Sequence, residues 1–158
     1  MEYFHQETVR ENISRPARTD APEMTMGDLL RLFSSNEFAA YPVVRDEKLI
    51  GIVSRRDSIR SFAAKARTDA AHFDAAMGTT VEQIMSSRVV TVEPDATLDK
   101  LVDLMAAHDF ESFPVVDREN RVRGIIARDD VVRALARCTW RAPQPPPLSV
   151  PSFGYAIA

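Results

Sequence analysis

Apolar and polar positions along the chain fall into short blocks that recur. Met26, Leu29, Leu30 and Phe33 are spaced by three and four, and so are Leu98, Leu101, Val102 and Met105. Each set predicts one amphipathic helix. Thr25 and Thr97 stand where an N-cap belongs. Asp28 and Lys100, three residues on, complete no capping box. Apolar-rich stretches at 40–45 with 49–54, and at 112–117 with 122–127, predict strands. The polar turns Asp46-Glu47-Lys48 and Arg118-Glu119-Asn120-Arg121 join them as two hairpins. The nearly unbroken Leu49-Ile50-Gly51-Ile52-Val53 predicts a strand buried on both faces. Short helices are predicted at 9–14 and 81–86, and each leads into an extended piece ending at Pro22 or Pro94. Further helices start near Arg55 and Arg128.

These blocks are two copies of one unit. An offset of 72 residues pairs Thr8-Val9 with Thr80-Val81, Ser14 with Ser86, Pro22 with Pro94, Thr25 with Thr97 and Leu29 with Leu101. It also aligns Tyr41-Pro42-Val43-Val44 with Phe113-Pro114-Val115-Val116. One residue is gained in the following turn. Beyond it, Gly51-Ile52-Val53-Ser54-Arg55-Arg56-Asp57 matches Gly124-Ile125-Ile126-Ala127-Arg128-Asp129-Asp130. So many identities in one order, with one short gap, establish an internal duplication. The expected organisation is an extension at 1–7, a first repeat at 8–62, a helical connector at 63–79, a second repeat at 80–137 and a proline-rich tail at 138–158. Seven alanines between 63 and 76 favour the connector helix, and Gly78 is placed to end it.

The duplicated order of helix, strand, helix, strand, strand, helix resembles a tandem pair of CBS (cystathionine-β-synthase-type) domains, a Bateman module. The motifs that carry the resemblance are the aromatic-Pro-Val-Val strand of each copy, the Gly51–Asp57 signature and the run from Val89 through Pro94-Asp95 to Thr97-Leu98. It covers about residues 8–137. It implies an α+β fold with two repeats packed about a pseudo-twofold axis. It also implies clefts between the repeats that bind adenosine compounds (AMP, ADP, ATP or S-adenosylmethionine), and assembly as a flat homodimer.

Such a ligand needs an apolar slot for its base, an acceptor for its ribose hydroxyls and donors for phosphate. An ionised carboxylate accepts from two hydroxyls at once, so Asp57 and Asp130 are the ribose candidates. Ser54 is a candidate phosphate donor, helped by the free N–H groups of the following helix turn; the same hydroxyl also suits a helix cap. Arg55 and Arg128 offer charge-assisted contacts, or lie as solvated surface charges. Ala39, Tyr41 and Pro42, or Val89, Phe113 and Pro114, are the candidate walls for the base, with Glu111 beside them. Tyr41 and Phe113 also read as core residues. The second copy departs from the signature. Ala127 lacks the hydroxyl, and Asp129 replaces Arg56. A carboxylate about 4 Å from a phosphate repels it by about 4 kcal/mol at an effective dielectric near 20, before screening. The cleft of Asp57 is therefore expected to be the better nucleotide site.

Composition narrows the function classes. The chain has 158 residues, 45% hydrophobic and 27% charged, with a net charge of −3. That is ordinary for a folded domain and lacks the basic excess of many nucleic-acid binders. No apolar run reaches the roughly 18 residues of a membrane span, and the first residues carry no secretory pattern. With one cysteine, Cys138, an internal disulfide is excluded; the cytoplasm is the expected location. Phosphate-binding and dinucleotide-binding glycine loops are missing. His5, His72 and His108 have no metal-ligand spacing, and no nucleophile is paired with a base. No enzyme, required cofactor or metal is expected. The tail, with Pro145-Pro146-Pro147, Trp140, Phe153 and Tyr155, suits either a polyproline docking segment or a strap over the molecule. Two functions remain: a stand-alone regulatory module that signals ligand binding to an unknown partner protein, and a ligand-free dimerising scaffold.

Overall fold

Two four-residue helices, α1 (Val9–Asn12) and α5 (Val81–Ile84), open the two copies. Helices this short do not persist alone. Each is held first by its own start: the Thr8 N–H donates to Glu11 Oε2 at 2.8 Å and the Thr80 N–H to Gln83 Oε1 at 3.1 Å. Each is then held by the other copy. Val9 and Arg10 donate their N–H groups to the carbonyls of Ala96 and Pro94, at 2.9 and 2.8 Å. Val81 and Glu82 donate in the same way to Met24 and Pro22, at 2.8 and 2.9 Å. The computed structural model describes residues 6–14, 21–65 and 69–138.

Helix α2 (Met26–Ser35) starts at Thr25, whose hydroxyl accepts the Asp28 N–H at 3.3 Å. Its counterpart α6 (Leu98–Ala107) starts at Thr97 without a side-chain cap. Strands β1 (Ala40–Arg45) and β2 (Lys48–Ser54) form one antiparallel hairpin, and β3 (Ser112–Val116) and β4 (Val122–Ala127) form the other. Both break register at the same place, between Val43 and Val44 and between Val115 and Val116. The first turn is tighter than expected. Lys48 joins β2 opposite Arg45, leaving Asp46 and Glu47 to turn at φ 51° and 65°. The residue gained in the second copy is absorbed by Asp117, whose Oδ1 accepts the N–H groups of Glu119 and Arg121 at 3.0 and 2.9 Å. β3 therefore ends at Val116, one residue early. The strand expected before Pro94 shrinks to a single parallel bridge of Val92 with Val115. Its first-copy counterpart at 15–20 lies outside the described residues, as do residues 1–5 and the tail beyond 138.

The packing units are not the sequence repeats. One core gathers Leu29, Phe33, Tyr41, Val43 and Val53 of the first copy with Val81 of α5. The other gathers Leu98, Leu101, Phe113, Val115 and Ile126 of the second copy with Val9 of α1. The repeats thus exchange their first helices. After each exchanged helix the chain crosses the partner hairpin: Ser86 and Ile52 trade N–H···O bonds at 2.8 and 2.9 Å, and Ser14 and Ile125 at 3.1 and 3.1 Å. Glycine is needed beneath both crossings. A Cβ on Gly51 would fall on the Met85 side chain and 3.0 Å from the Ser86 carbonyl; one on Gly124 would lie 3.0 Å from the Ser14 carbonyl.

The connector differs from the single helix expected at 63–79. Helix α3 (Arg55–Lys65) carries the first copy's end, and α4 (Ala70–Met77) begins anew at Asp69, whose carboxylate accepts the His72 N–H at 3.0 Å. Phe62 meets Phe73 edge to face at 5.6 Å. Gly78 closes α4, donating to Asp74 at 3.0 Å. Helix α7 (Arg128–Arg137) completes the second copy. The fold is α+β, built as two like lobes. Their hairpin tips meet where Leu49 and Asn120 exchange bonds at 3.1 Å each.

Candidate functional site

Two cavities lie where the lobes face each other. The larger holds about 730 Å³, within the range of small-molecule sites. The first lobe contributes Ala39, Ser54, Arg55 and Asp57; the second copy contributes Val89, Val90, Phe110, Glu111 and Pro114. At its floor β2 ends and α3 begins. Ser54 and Asp57 close a reciprocal cap there. The Ser54 N–H and hydroxyl both donate to Asp57 Oδ2, at 2.8 and 2.7 Å, and the Asp57 N–H donates back to the Ser54 hydroxyl at 3.1 Å. Among the described residues nothing bonds Asp57 Oδ1.

The second cavity, about 360 Å³, holds Asp130 and Arg128 with Ser14, Phe38, Ala39, Ala40, Glu111 and Asp129. Asp130 sits as Asp57 does, but it is buried and both its oxygens are engaged. Oδ2 accepts the Ala127 N–H at 2.8 Å. Oδ1 accepts the Ser14 hydroxyl at 3.1 Å and also a short bond from Arg133. Ala127 has no hydroxyl to return the cap.

Arg55 and Arg128 each line a cavity and each hold main-chain carbonyls. Arg55 Nη2 donates to the Phe33 and Asn36 carbonyls at 3.1 and 2.7 Å, at the end of α2. Arg128 donates to the Phe110 and His108 carbonyls at 2.9 and 3.2 Å, at the end of α6. A cation on the unsatisfied carbonyls of a helix C-terminus is favourable there. Each arginine thus lines its cavity while its guanidinium holds main-chain carbonyls.

Three other expected residues line neither cavity. Tyr41 and Phe113 are fully buried in the two cores, and Pro42, next to Tyr41 in β1, is buried too. Strand β1 is covered on both faces beyond Ala40, which lines both cavities, so Tyr41 and Pro42 reach no cleft. The Tyr41 hydroxyl is buried without a hydrogen-bond partner among the described residues. Burial pushes its pKa above the ordinary tyrosine value, while the Arg55 charge and the Asn36 amide pull the other way. Of the two alternative base walls, Val89 and Pro114 join the cavity of Asp57.

Sequence reasoning missed Arg56, Arg60, Arg88, Ser86 and Ser112, which also line the larger cavity. Arg60 stands one helical turn beyond Asp57, a spacing that was available as a signal. Arg88 and Ser86 arrive only because the chain crosses β2 after α5. The larger cavity carries Arg55, Arg56, Arg60 and Arg88 against Asp57, Asp109 and Glu111. The smaller carries Arg128 and Arg133 against Glu37, Glu111, Asp129 and Asp130. The first therefore favours an anion and the second disfavours one. Among the described residues no helix is long and apolar enough to cross a membrane.

Two like lobes with exchanged first helices, and an aspartate at the start of a helix in each cleft, define a tandem pair of small domains. The CBS domain family matches residues 9–61 and 81–137, and the chain belongs to it. It is similar to the protein MJ1225 of Methanocaldococcus jannaschii, 28% identical over 133 residues that cover 82% of this chain and 48% of that one. The crystal structure of MJ1225, described as an archaeal homolog of g-AMPK, superposes with a TM-score of 0.74 at 26% identity, covering 83% of this chain and 48% of that one. The CBS domain pair of MJ0100, in complex with 5′-methylthioadenosine and S-adenosyl-L-methionine, has a TM-score of 0.68 at 25% identity, covering 82% and 99%. CBSX2 in complex with AMP shares the fold, with a TM-score of 0.69 at 24% identity, covering 82% and 96%. The chain spans 79% of one curated relative, but 48% and 21% of the next two.

Proposed function

We propose that the chain is a regulatory CBS pair that takes an adenosine compound in its larger cavity and signals the occupancy to a partner protein. The observation that carries this reading is Asp57, held by Ser54 through Oδ2 while Oδ1 has no partner among the described residues, in a cavity of about 730 Å³. A ribose needs an acceptor of that kind. Ala39, Val89, Val90 and Pro114 supply apolar wall for a base, and Ser54 remains a candidate donor beside them. With Arg55 tied to carbonyls, the charge for a phosphate falls first to Arg56, Arg60 and Arg88. Glu111 borders the same space and limits how much negative charge it accepts.

In the second cleft Asp130 is already satisfied by Ser14, Arg133 and Ala127. We therefore assign it the weaker binding. For this cleft alone the scaffold reading gains support. The complexes of MJ0100 and CBSX2 support adenosine ligands in general, and the proposal covers AMP, ADP, ATP and S-adenosylmethionine. The chain acts as a binding module and not as an enzyme. Ile59 and Val132, equivalent positions on α3 and α7, are 69% and 61% exposed, which suits a homodimer across these helices.

Thermal melting of the full chain with AMP, ATP and S-adenosylmethionine tests the reading. A ligand at 100 times its Kd stabilises the fold by about 2.7 kcal/mol. The expected result is a rise in Tm with at least one compound, lost in Asp57→Ala. No shift with any of them leaves the scaffold.

A further inference from the structure

The two cavities share a wall: Ala39, Ala40, Glu111 and Ser112 line both. Each cavity also owns the arginine that holds the part of this wall belonging to the other. Arg55 lines the larger cavity, and its guanidinium grips the Phe33 and Asn36 carbonyls. Directly after Asn36 come Glu37, Phe38 and Ala39, which line the smaller cavity. The Arg55 N–H adds a bond to the Ala39 carbonyl at 3.0 Å. The second copy has a similar arrangement, with the Asp109 carboxylate also 3.6 Å from the Arg128 guanidinium. Arg128 lines the smaller cavity and grips His108 and Phe110, while Asp109, Phe110 and Glu111 line the larger. The Arg128 N–H meets the Glu111 carbonyl at 3.1 Å.

We infer that Arg55 and Arg128 are positioning residues that couple the cavities, so that an anionic ligand in one weakens binding in the other. The inference rests on the adenosine-binding reading above. A phosphate oxygen is a stronger acceptor for guanidinium than a neutral carbonyl. A phosphate beside Arg55 draws it from Phe33 and Asn36. The turn at 36–39 then loses the guanidinium and keeps only the Arg55 N–H, and the smaller cavity must restore that order before it binds. A phosphate beside Arg128 acts on the wall at 108–111 in the same way. Linkage makes the effect reciprocal: each site changes the affinity of the other by one and the same factor. A neutral adenosine compound does not compete for the arginines and couples the sites less.

Isothermal titration of the full chain with AMP supplies the stepwise Kd values. The Asp57→Ala chain supplies the Kd of the smaller cavity with the larger one empty. That Kd is expected to be at least about fivefold tighter than the second step in wild type, the lower end of usual coupling. In the Arg55→Gln/Arg128→Gln chain the stepwise constants are expected to lose this penalty, and adenosine in place of AMP reduces it in wild type. Should Asp57→Ala not fold, Arg56→Glu empties the larger cavity without touching the cap of α3. Equal constants in wild type and Asp57→Ala overturn the coupling while leaving the adenosine reading intact. So does one AMP in wild type with none in Asp57→Ala. No AMP uptake by wild type overturns both.

Discussion

Ser54 and Asp57 cap each other, with the Ser54 hydroxyl donating to Asp57 Oδ2 at 2.7 Å and receiving the Asp57 N–H at 3.1 Å. In the second copy, Ala127 and Asp130 keep only the backbone half, a 2.8 Å bond from the Ala127 N–H. Exchanging the two arrangements tests what the hydroxyl contributes. Ser54→Ala is expected to lower stability by about 1 kcal/mol, the usual cost of losing an N-cap hydroxyl. Ala127→Ser restores an acceptor for the first turn of α7 and is expected to raise stability by a similar or smaller amount. Urea unfolding midpoints read both; an unchanged midpoint in Ser54→Ala would show the cap to be energetically idle.

Gly51 and Gly124 lie under the exchanged segments, and alanine at either meets main chain as well as side chain. The Ser86 and Ser14 carbonyls, each 3.0 Å from the added Cβ, are themselves paired to Ile52 and Ile125 and cannot retreat freely. Overpacking of this kind costs about 1–3 kcal/mol. Gly51→Ala and Gly124→Ala are each expected to show that loss in urea unfolding. Gly27, whose added Cβ would find its nearest neighbour at 3.6 Å, serves as the control: Gly27→Ala sits on helix α2 and is expected to hold or gain stability.

Asp117 organises the second hairpin turn, and the Arg121 N–H, with smaller help from Arg123 and the Glu119 N–H, holds its carboxyl below the ordinary aspartate range. Asp69 is held down in the same way, chiefly by the His72 N–H. A depressed folded-state pKa stabilises at pH values above the unfolded value near 3.9, and the contribution is lost as pH falls through the lower folded value. Asp117→Asn removes that dependence at one site. The stability gap between wild type and variant is expected to be full at pH 6 and to shrink below about pH 4. Urea midpoints measured across that range decide it; a gap that widens in acid contradicts the assignment.

The duplication was legible because matched residues recur at one offset, and it located every helix start that matters to the site. Ser54, Arg55 and Asp57 follow from the end of β2, with Arg128 and Asp130 following from β4. What one strand of text does not reveal is which copy a segment packs upon. Val9 and Val81 sit at equivalent places in the two repeats, yet each is buried in the opposite lobe. No local propensity encodes that choice. The glycines under the crossings are a trace of it. The same exchange brings Ser86 and Arg88 to the larger cavity, so they were missed. Tyr41 and Phe113 read both as core and as walls, because an aromatic beside a cleft motif looks the same in either role; both are core.

Ile59 on α3 and Val132 on α7 are exposed apolar residues at equivalent positions, with Leu135, 47% exposed, one turn from Val132. Apolar side chains gathered on two helix faces suit burial against a second copy. Ile59→Glu and Val132→Glu together are expected to shift sedimentation from dimer to monomer while leaving the melting of each lobe's core unchanged. A wild-type chain that sediments as a monomer at tens of micromolar removes the homodimer from the proposal.

Tyr41 and Phe113 occupy the same place in the two cores, and the hydroxyl is the difference between them. Tyr41 packs on Phe33 and Phe38 with ring centroids at 5.0 and 5.8 Å, and Phe113 packs on Phe110 at 6.0 Å. The ring contacts do not need the oxygen. That oxygen is buried without a hydrogen-bond partner among the described residues, and a polar group removed from water without compensation is a cost to folding. Tyr41→Phe therefore makes the first lobe like the second. Its expected effect is no loss of stability, or a gain of up to about 1 kcal/mol, read from urea unfolding. The Asn36 amide lies near enough to lower the tyrosine pKa in opposition to burial. A loss of about 1 kcal/mol or more in Tyr41→Phe would mean that Asn36 holds the hydroxyl in a true bond, and that this bond, together with the grip of Arg55 on the Asn36 carbonyl, fixes the turn between the cavities.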